Sequence, residues 1–238
     1  ILNRMEKNVA DQFMGGAPWG SVVWGLTNLA VWLSLWPLTL MGILPLWIAF
    51  PIATLNVMLC YLPSHEAQHR IIAREGEPLF WLNELVGYVS TIPLVLPYQV
   101  ARLTHYEHHT HCNDPVLDPD ASTKAAGPWQ SITNSIARRQ PGSKDQAAYG
   151  ECLARLGTPE AQKAGLQALV SQLAYLAILF GMAWTGHALE AALIWWLPRH
   201  IGVTYIQFYL SWAPHHPGTG KGRYRDTRAF RSALGNIG

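Results

Sequence analysis

The chain contains 10 histidines, and none of them precedes residue 65. Two short runs concentrate them: His65-Glu66-Ala67-Gln68-His69 and His105-Tyr106-Glu107-His108-His109. On a helix, residues three and four apart are neighbours. His65 and His69 therefore share one face, and His105, His108 and His109 fall within one sector of another. A further pair, His215-His216, lies far along the chain. Imidazoles in this number suit iron, zinc, copper or nickel, whereas magnesium or calcium would be held by oxygen donors. Glu66, Glu107 and Asp114 are close enough in sequence to accept ring N–H groups. Solvated carboxylates at an interface would look the same. His111 and His216 are possible extra donors.

Two metal chemistries compete for these residues. His65-Glu66-Ala67-Gln68-His69 is a literal HExxH, the pattern of a zinc metalloprotease, here an intramembrane one, in which two histidines hold zinc and the glutamate activates water. Asp114, Asp118 or Asp120 could then be the third ligand. One catalytic zinc takes only three protein ligands and leaves a position open, which would strand His105, His108 and His109. Five or six convergent histidines fit a pair of metals better.

The elements that must position these clusters follow from composition. Half of the 238 residues are apolar, 11 are Trp, only 13% are charged and the net charge is +2. That is about half the usual ~25% charge of soluble domains, and it excludes a disordered tail or a nucleic-acid binder. Residues 12–64 contain no Asp, Glu, Lys or Arg. A helix crossing a ~30 Å hydrocarbon layer needs ~20 residues, so this stretch predicts two spans, Ser21 to Trp36 and Leu40 to Tyr61, with a turn at Pro37. A third span is expected near Leu166 to Thr185. A fourth, from Ala191 to Ala213, is expected to break where Pro198, Arg199 and His200 interrupt it. Leu85 to Tyr98 is apolar but too short to cross. Residues 114–163 read as a polar loop with some helix. Trp24, Trp32, Trp36, Trp195 and Trp196 read as interface belt and core. Cys60, Cys112 and Cys152 lack CxxC spacing and read as ordinary reduced thiols.

The expectation is thus an all-α, integral membrane bundle of about four transmembrane helices, forming a single domain over 1–238. With both ends inside, every Lys and Arg other than Arg199 falls on the cytoplasmic side, including Arg70, Arg74, Arg138, Arg139 and the basic cluster from Lys221 to Arg231. The three histidine groups then converge as a metal-binding cap on that face. A metal or proton transporter would instead place ionisable groups at midplane on several helices. Arg199 and His200 alone fit that pattern, and His187 and His200 read as structural.

These histidine runs resemble the membrane fatty acid desaturase superfamily, which includes acyl-lipid desaturases, alkane hydroxylases and carotenoid ring hydroxylases and ketolases. His65 and His69 match its first histidine box, HxxxH, and His105, His108 and His109 match its second, HxxHH. The run HHTHCNDPVLDPD from His108 to Asp120 is similar to the carotenoid hydroxylase version, and FYLSWAPHHP from Phe208 to Pro217 to the segment that supplies an extra histidine. The resemblance implies His65, His69, His105, His108, His109 and His215 as ligands to two non-haem iron ions, with O2 as co-substrate. The third box, [HQ]xxHH, is missing, since Trp212 stands where it would begin, and a fragment lacking both ends is expected.

The implied activity is desaturation or hydroxylation of a lipid, a fatty acyl chain as the broad expectation and a carotenoid ring as the runner-up. No nucleotide-binding fingerprint is visible. Electrons are therefore expected from a separate ferredoxin-like or cytochrome/reductase donor, and the substrate from the bilayer.

Overall fold

Every regular element among the described residues of the computed structural model is helical. The described residues are 18–140 and 147–220, with Met5, Asn8, Gly222 and 226–228. The expected chain ends and most of the basic cluster from Lys221 to Arg231 lie outside them.

Helix α1 (Trp19–Leu40) runs straight through Pro37, so the predicted turn there is wrong. A proline inside a helix removes one N–H, which spanning helices tolerate because neighbouring groups satisfy the freed carbonyl. The chain stops instead at Gly42, whose φ of 70° is the left-handed conformation that glycine adopts without penalty. Gly42 N–H bonds Thr39 O at 2.9 Å and Ile43 N–H bonds Leu38 O at 2.9 Å, the paired bonds of a Schellman stop. The second long apolar helix consequently begins at Leu46, not Leu40. It comprises α2 (Leu46–Leu59) and α3 (Tyr61–Gln68), with Cys60 at their junction. Asn28 and Asn56 tie α1 to α2 by exchanging side-chain bonds with each other's carbonyls at 2.9 and 2.6 Å.

The short apolar segment forms α4 (Phe80–Ser90) and a 3-10 turn (Ile92–Leu94), packed against α1 and α3. Helix α5 (Tyr98–His111) follows directly. The polar middle contains α6 (Pro128–Arg138) and α7 (Ala148–Leu156). Gly157 ends α7 in the left-handed region, and the Thr158 hydroxyl then accepts from Ala161 N–H at 3.2 Å to start α8 (Pro159–Trp184).

The last apolar segment stays helical from Ala188 to His215 but comes in pieces: α9 (Ala188–Ala191), a π turn (Ala192–Trp196), α10 (Leu197–Ile206), a second π turn (Gln207–Trp212) and α11 (Ala213–His215). The expected break near Pro198 takes the form of a π turn just before it, where proline's missing N–H and bulky ring disturb the regular ladder. Three helical stretches, Trp19–Leu40, Leu46–Gln68 and Pro159–Trp184, are long and apolar enough to span a membrane by length and composition. The segmented fourth is not among them. Gly202 of α10 packs so closely on α2 that a Cβ there would lie 2.6 Å from Val57 Cγ1. Arg199 turns into protein, its Nε donating to Leu94 O at 2.8 Å and its guanidinium lying 5.3 Å from the Tyr175 ring. Trp32 and Trp195 are buried core, while Trp24 and Trp196 lie on the surface.

Candidate metal centre

Helices α3 and α5 carry the first two histidine clusters, and the end of the segmented helix delivers His215. His65 sits on the last turn of α3 and His69 is its C-cap residue. The turn that releases the chain after His69 is another Schellman stop, with Arg70 at φ 55° in the place usually held by glycine. Ile71 N–H bonds Glu66 O at 3.1 Å and Arg70 N–H bonds Ala67 O at 3.0 Å. A left-handed non-glycine residue costs roughly 1–2 kcal/mol, so the surrounding packing over-determines this corner.

The rings meet in two groups. In the first, His69 Nε2 lies 2.8 Å from His105 Nε2, and His109 Nε2 lies 3.0 Å from that same atom. The His65 ring is 4.7 Å from the rings of both His69 and His105. In the second, His108 Nε2 faces His215 Nε2 at 3.1 Å across 107 residues of sequence. His108 and His109, with ring centres 5.8 Å apart, join the two groups. His65, His69 and His105 offer donor atoms all within 4.8 Å of one another, and so do His108, Cys112 and His215. Two nitrogens held at ~2.1 Å from one ion, at right angles, stand about 3 Å apart. The observed separations fit shared ions, and imidazole is the donor that iron and its neighbours take.

Electrostatics keep most of these rings neutral and so able to donate lone pairs. Burial, reinforced by His65, His109, His69 and His108, pushes His105 down to about 2. Burial also lowers His69, His109 and His215. His108 is the exception. Its burial pulls downward, but the hydrogen bond it donates to Asp118 and the charges of Asp120, Asp118 and Asp226 outweigh it, leaving a net rise.

That exception identifies the carboxylate that orients the site. Asp118 is 6% exposed, and its Oδ1 lies 2.8 Å from His108 Nδ1. Asn113 N–H donates to Oδ2 and Asp120 N–H to Oδ1, each at 2.8 Å. The ring is thereby held with Nδ1–H toward Asp118 and Nε2 toward His215. His215 is fixed in the same sense by the Asp226 carbonyl, 2.8 Å from its Nδ1. Cys112 Sγ lies 3.2 Å from that Nδ1, on the ring edge away from His108. Burial, then the charges of Asp226 and Asp118, push its thiol up to about 12.

Two of the three orienting carboxylates expected from sequence proximity are engaged away from the two ring groups. Glu107 pairs with Arg155 at 3.3 Å and with His111 at 3.7 Å. Asp114 Oδ1 accepts from Val116 N–H and Leu117 N–H at 2.9 and 3.0 Å, shaping the turn after α5. Among the described residues no histidine nitrogen bonds Glu66. The His216 ring packs on Trp212 at 4.8 Å. His187 lies 3.7 Å from Glu190, and the His200 ring 4.8 Å from that of Trp196. Asp118 sits ten residues after His108, beyond the end of α5, so helical spacing could not assign it. The DPVLDPD run of aspartates and prolines was its only signal.

A family profile described as fatty acid desaturase matches residues 30–237. The chain belongs to the fatty acid desaturase family. Among similar curated proteins, an sn-1 oleoyl-lipid 12-desaturase of Synechocystis sp. is 33% identical over 69 residues, covering 29% of this chain and 17% of that protein. An sn-1 acyl-lipid omega-3 desaturase (ferredoxin) of Nostoc sp. is 28% identical over 99 residues, 40% of this chain and 24% of the relative. An sn-1 oleoyl-lipid 12-desaturase of Anabaena variabilis is 35% identical over 60 residues, 25% of this chain and 15% of the relative. The matched region is thus a quarter or less of each of these desaturases. No solved structure gives a significant match. Family membership and the three long apolar helices fit a membrane protein.

Proposed function

We propose that this chain carries the metal centre of a membrane acyl-lipid desaturase, a non-haem di-iron oxidoreductase that uses O2 on a fatty acyl chain. The observation that carries the reading is the meeting of His65, His69, His105 and His109 with the adjoining pair His108 and His215. Two adjoining groups of imidazoles suit two ions of a nitrogen-loving metal. The relatives' acyl-lipid names support this substrate class over a carotenoid ring.

His65, His69, His105 and His109 would hold one iron and His108 and His215 the other. Iron supplies the activation of O2 that attack on an unactivated C–H bond requires. The chain's own part is to keep most of the imidazoles neutral and to aim them through Asp118 and the Asp226 carbonyl. The acyl chain enters from the bilayer, and electrons come from an external donor. The ferredoxin named for the Nostoc relative suggests the donor class. The histidine groups face the cytoplasm, where the Lys and Arg residues gather.

Two measurements on the purified protein and its expressing host test the proposal. Metal analysis should return about two irons per chain, and about one zinc with no iron would refute it. Lipid profiling of a host that co-expresses a ferredoxin and its reductase should show new double bonds in acyl chains. Altered carotenoids with unaltered acyl chains would transfer the activity to the hydroxylase branch.

A further inference from the structure

The first histidine group is built from two helices with no covalent reason to keep register. His65 and His69 end α3, while His105 and His109 lie on α5, with α4 between them in sequence. The carbonyls at the end of α3 show what couples them. The last four carbonyls of a helix lack intrahelical donors. Here His65 O receives His69 N–H at 3.2 Å, Glu66 O receives Ile71 N–H and Ala67 O receives Arg70 N–H. Gln68 O, adjacent to His69, is served from α5: the Tyr106 hydroxyl donates to it at 2.6 Å. The Tyr106 ring also stands edge-on to the His69 ring at 6.2 Å and 88°. Eight positions earlier on α5, the Tyr98 hydroxyl donates to the preceding carbonyl, Ala67 O, at 2.9 Å. Helix α5 therefore grips two successive carbonyls of α3.

We infer that Tyr106 is a positioning residue, whose hydroxyl sets the placement of His69 against the neighbouring His105 and so the metal affinity of the first histidine group. The inference rests on the metal-centre reading above. Tyr98 shares the grip but is fully buried beneath Gly87, where removal of its hydroxyl would disturb the core. Tyr106 is 39% exposed, so its hydroxyl can be removed with the ring left in place. Thr110, one turn further along α5, donates only to its own helix, to Tyr106 O at 2.8 Å, and provides a matched hydroxyl deletion.

The test uses the full chain in detergent micelles, stripped of metal and titrated with Co2+ against a competing chelator. Relative to the parent, Tyr106→Phe should bind one of the two ions about 10–100-fold less tightly, the range for loss of a group that orients a ligand, and should shift the visible Co2+ bands. Thr110→Val should do neither. In the same metal-free samples, amide hydrogen exchange of residues 69–71 should quicken in Tyr106→Phe, a readout that stands without any metal. A parent that takes up no Co2+ overturns the metal-centre reading. Unchanged exchange in Tyr106→Phe overturns the clamp. A parent that binds while Tyr106→Phe matches it in affinity and spectrum overturns the positioning role alone.

Discussion

Replacing Asp118 by Asn tests whether this buried carboxylate orients His108. Asp118 receives three contacts at 2.8 Å: His108 Nδ1 and Asp120 N–H at one oxygen, Asn113 N–H at the other. An amide can serve the first oxygen, but its NH2 group would then face the Asn113 N–H, donor against donor. Hydrogen bonds to charged groups contribute about 1.5–3 kcal/mol, and a buried unpaired donor costs about 1–3 kcal/mol. Allowing for local relaxation, the variant should lose about 2–4 kcal/mol of stability. If the amide turns over instead, its NH2 meets His108 Nδ1–H and drives the ring to the other tautomer, leaving Nε2 protonated and unable to bind metal. Either outcome weakens the second group, and affinity for one ion should fall about 10–100-fold. The assay is chelator-competition titration of metal-free protein alongside thermal unfolding in the same detergent. Glu107→Gln is the control, because Glu107 touches only Arg155 and His111 among the described residues. An Asp118→Asn protein with both ions held as tightly as in the parent would refute the reasoning.

Three further outcomes are expected. Gly87→Ala should destabilise by about 1–3 kcal/mol, because the new methyl would stand 2.5 Å from Tyr98 Cε2; thermal unfolding checks this, and an unchanged midpoint would show that α4 is free to move. Asn56→Ala removes the reciprocal bond to Asn28 O and should cost about 0.6 kcal/mol, at most ~1.7, measured by unfolding in mixed micelles. Acidification should destabilise the metal-free protein. His69, His105, His109 and His215 have lowered affinities for protons in the fold, so below the ordinary histidine value near 6.5 the unfolded chain binds more protons and stability falls as pH falls. The raised His108 opposes this in the same window, one group against four. Unfolding midpoints between pH 7.5 and 5 decide the sign, and a midpoint that rises on acidification would contradict the burial of these rings.

Much of the placement of the candidate site residues was legible in the sequence because helical periodicity is local. Spacing of four put His65 and His69 on one face, and spacing of three and four gathered His105, His108 and His109, as the structure has them. The absence of charge over residues 12–64 required membrane-length helices for the same reason, since composition alone fixes whether a helix can sit in hydrocarbon. Where the first helix ends was misread, because a proline is visible as a breaker but is tolerated inside a long apolar helix whose neighbours satisfy the freed carbonyl, whereas Gly42 supplied the left-handed stop.

Tertiary structure alone decided the partners of each ring. Nothing local distinguishes Asp114, which shapes a turn, from Asp118, which holds His108; the difference is the path of the chain after α5. The facing of His215 and His108 depends on how two π turns rotate the end of the last helix. The grip of Tyr98 and Tyr106 on the end of α3 needs three helices packed together. Contacts of this kind join residues whose sequence separation carries no periodic signal, and their energies arise only once burial has removed water as the competing partner.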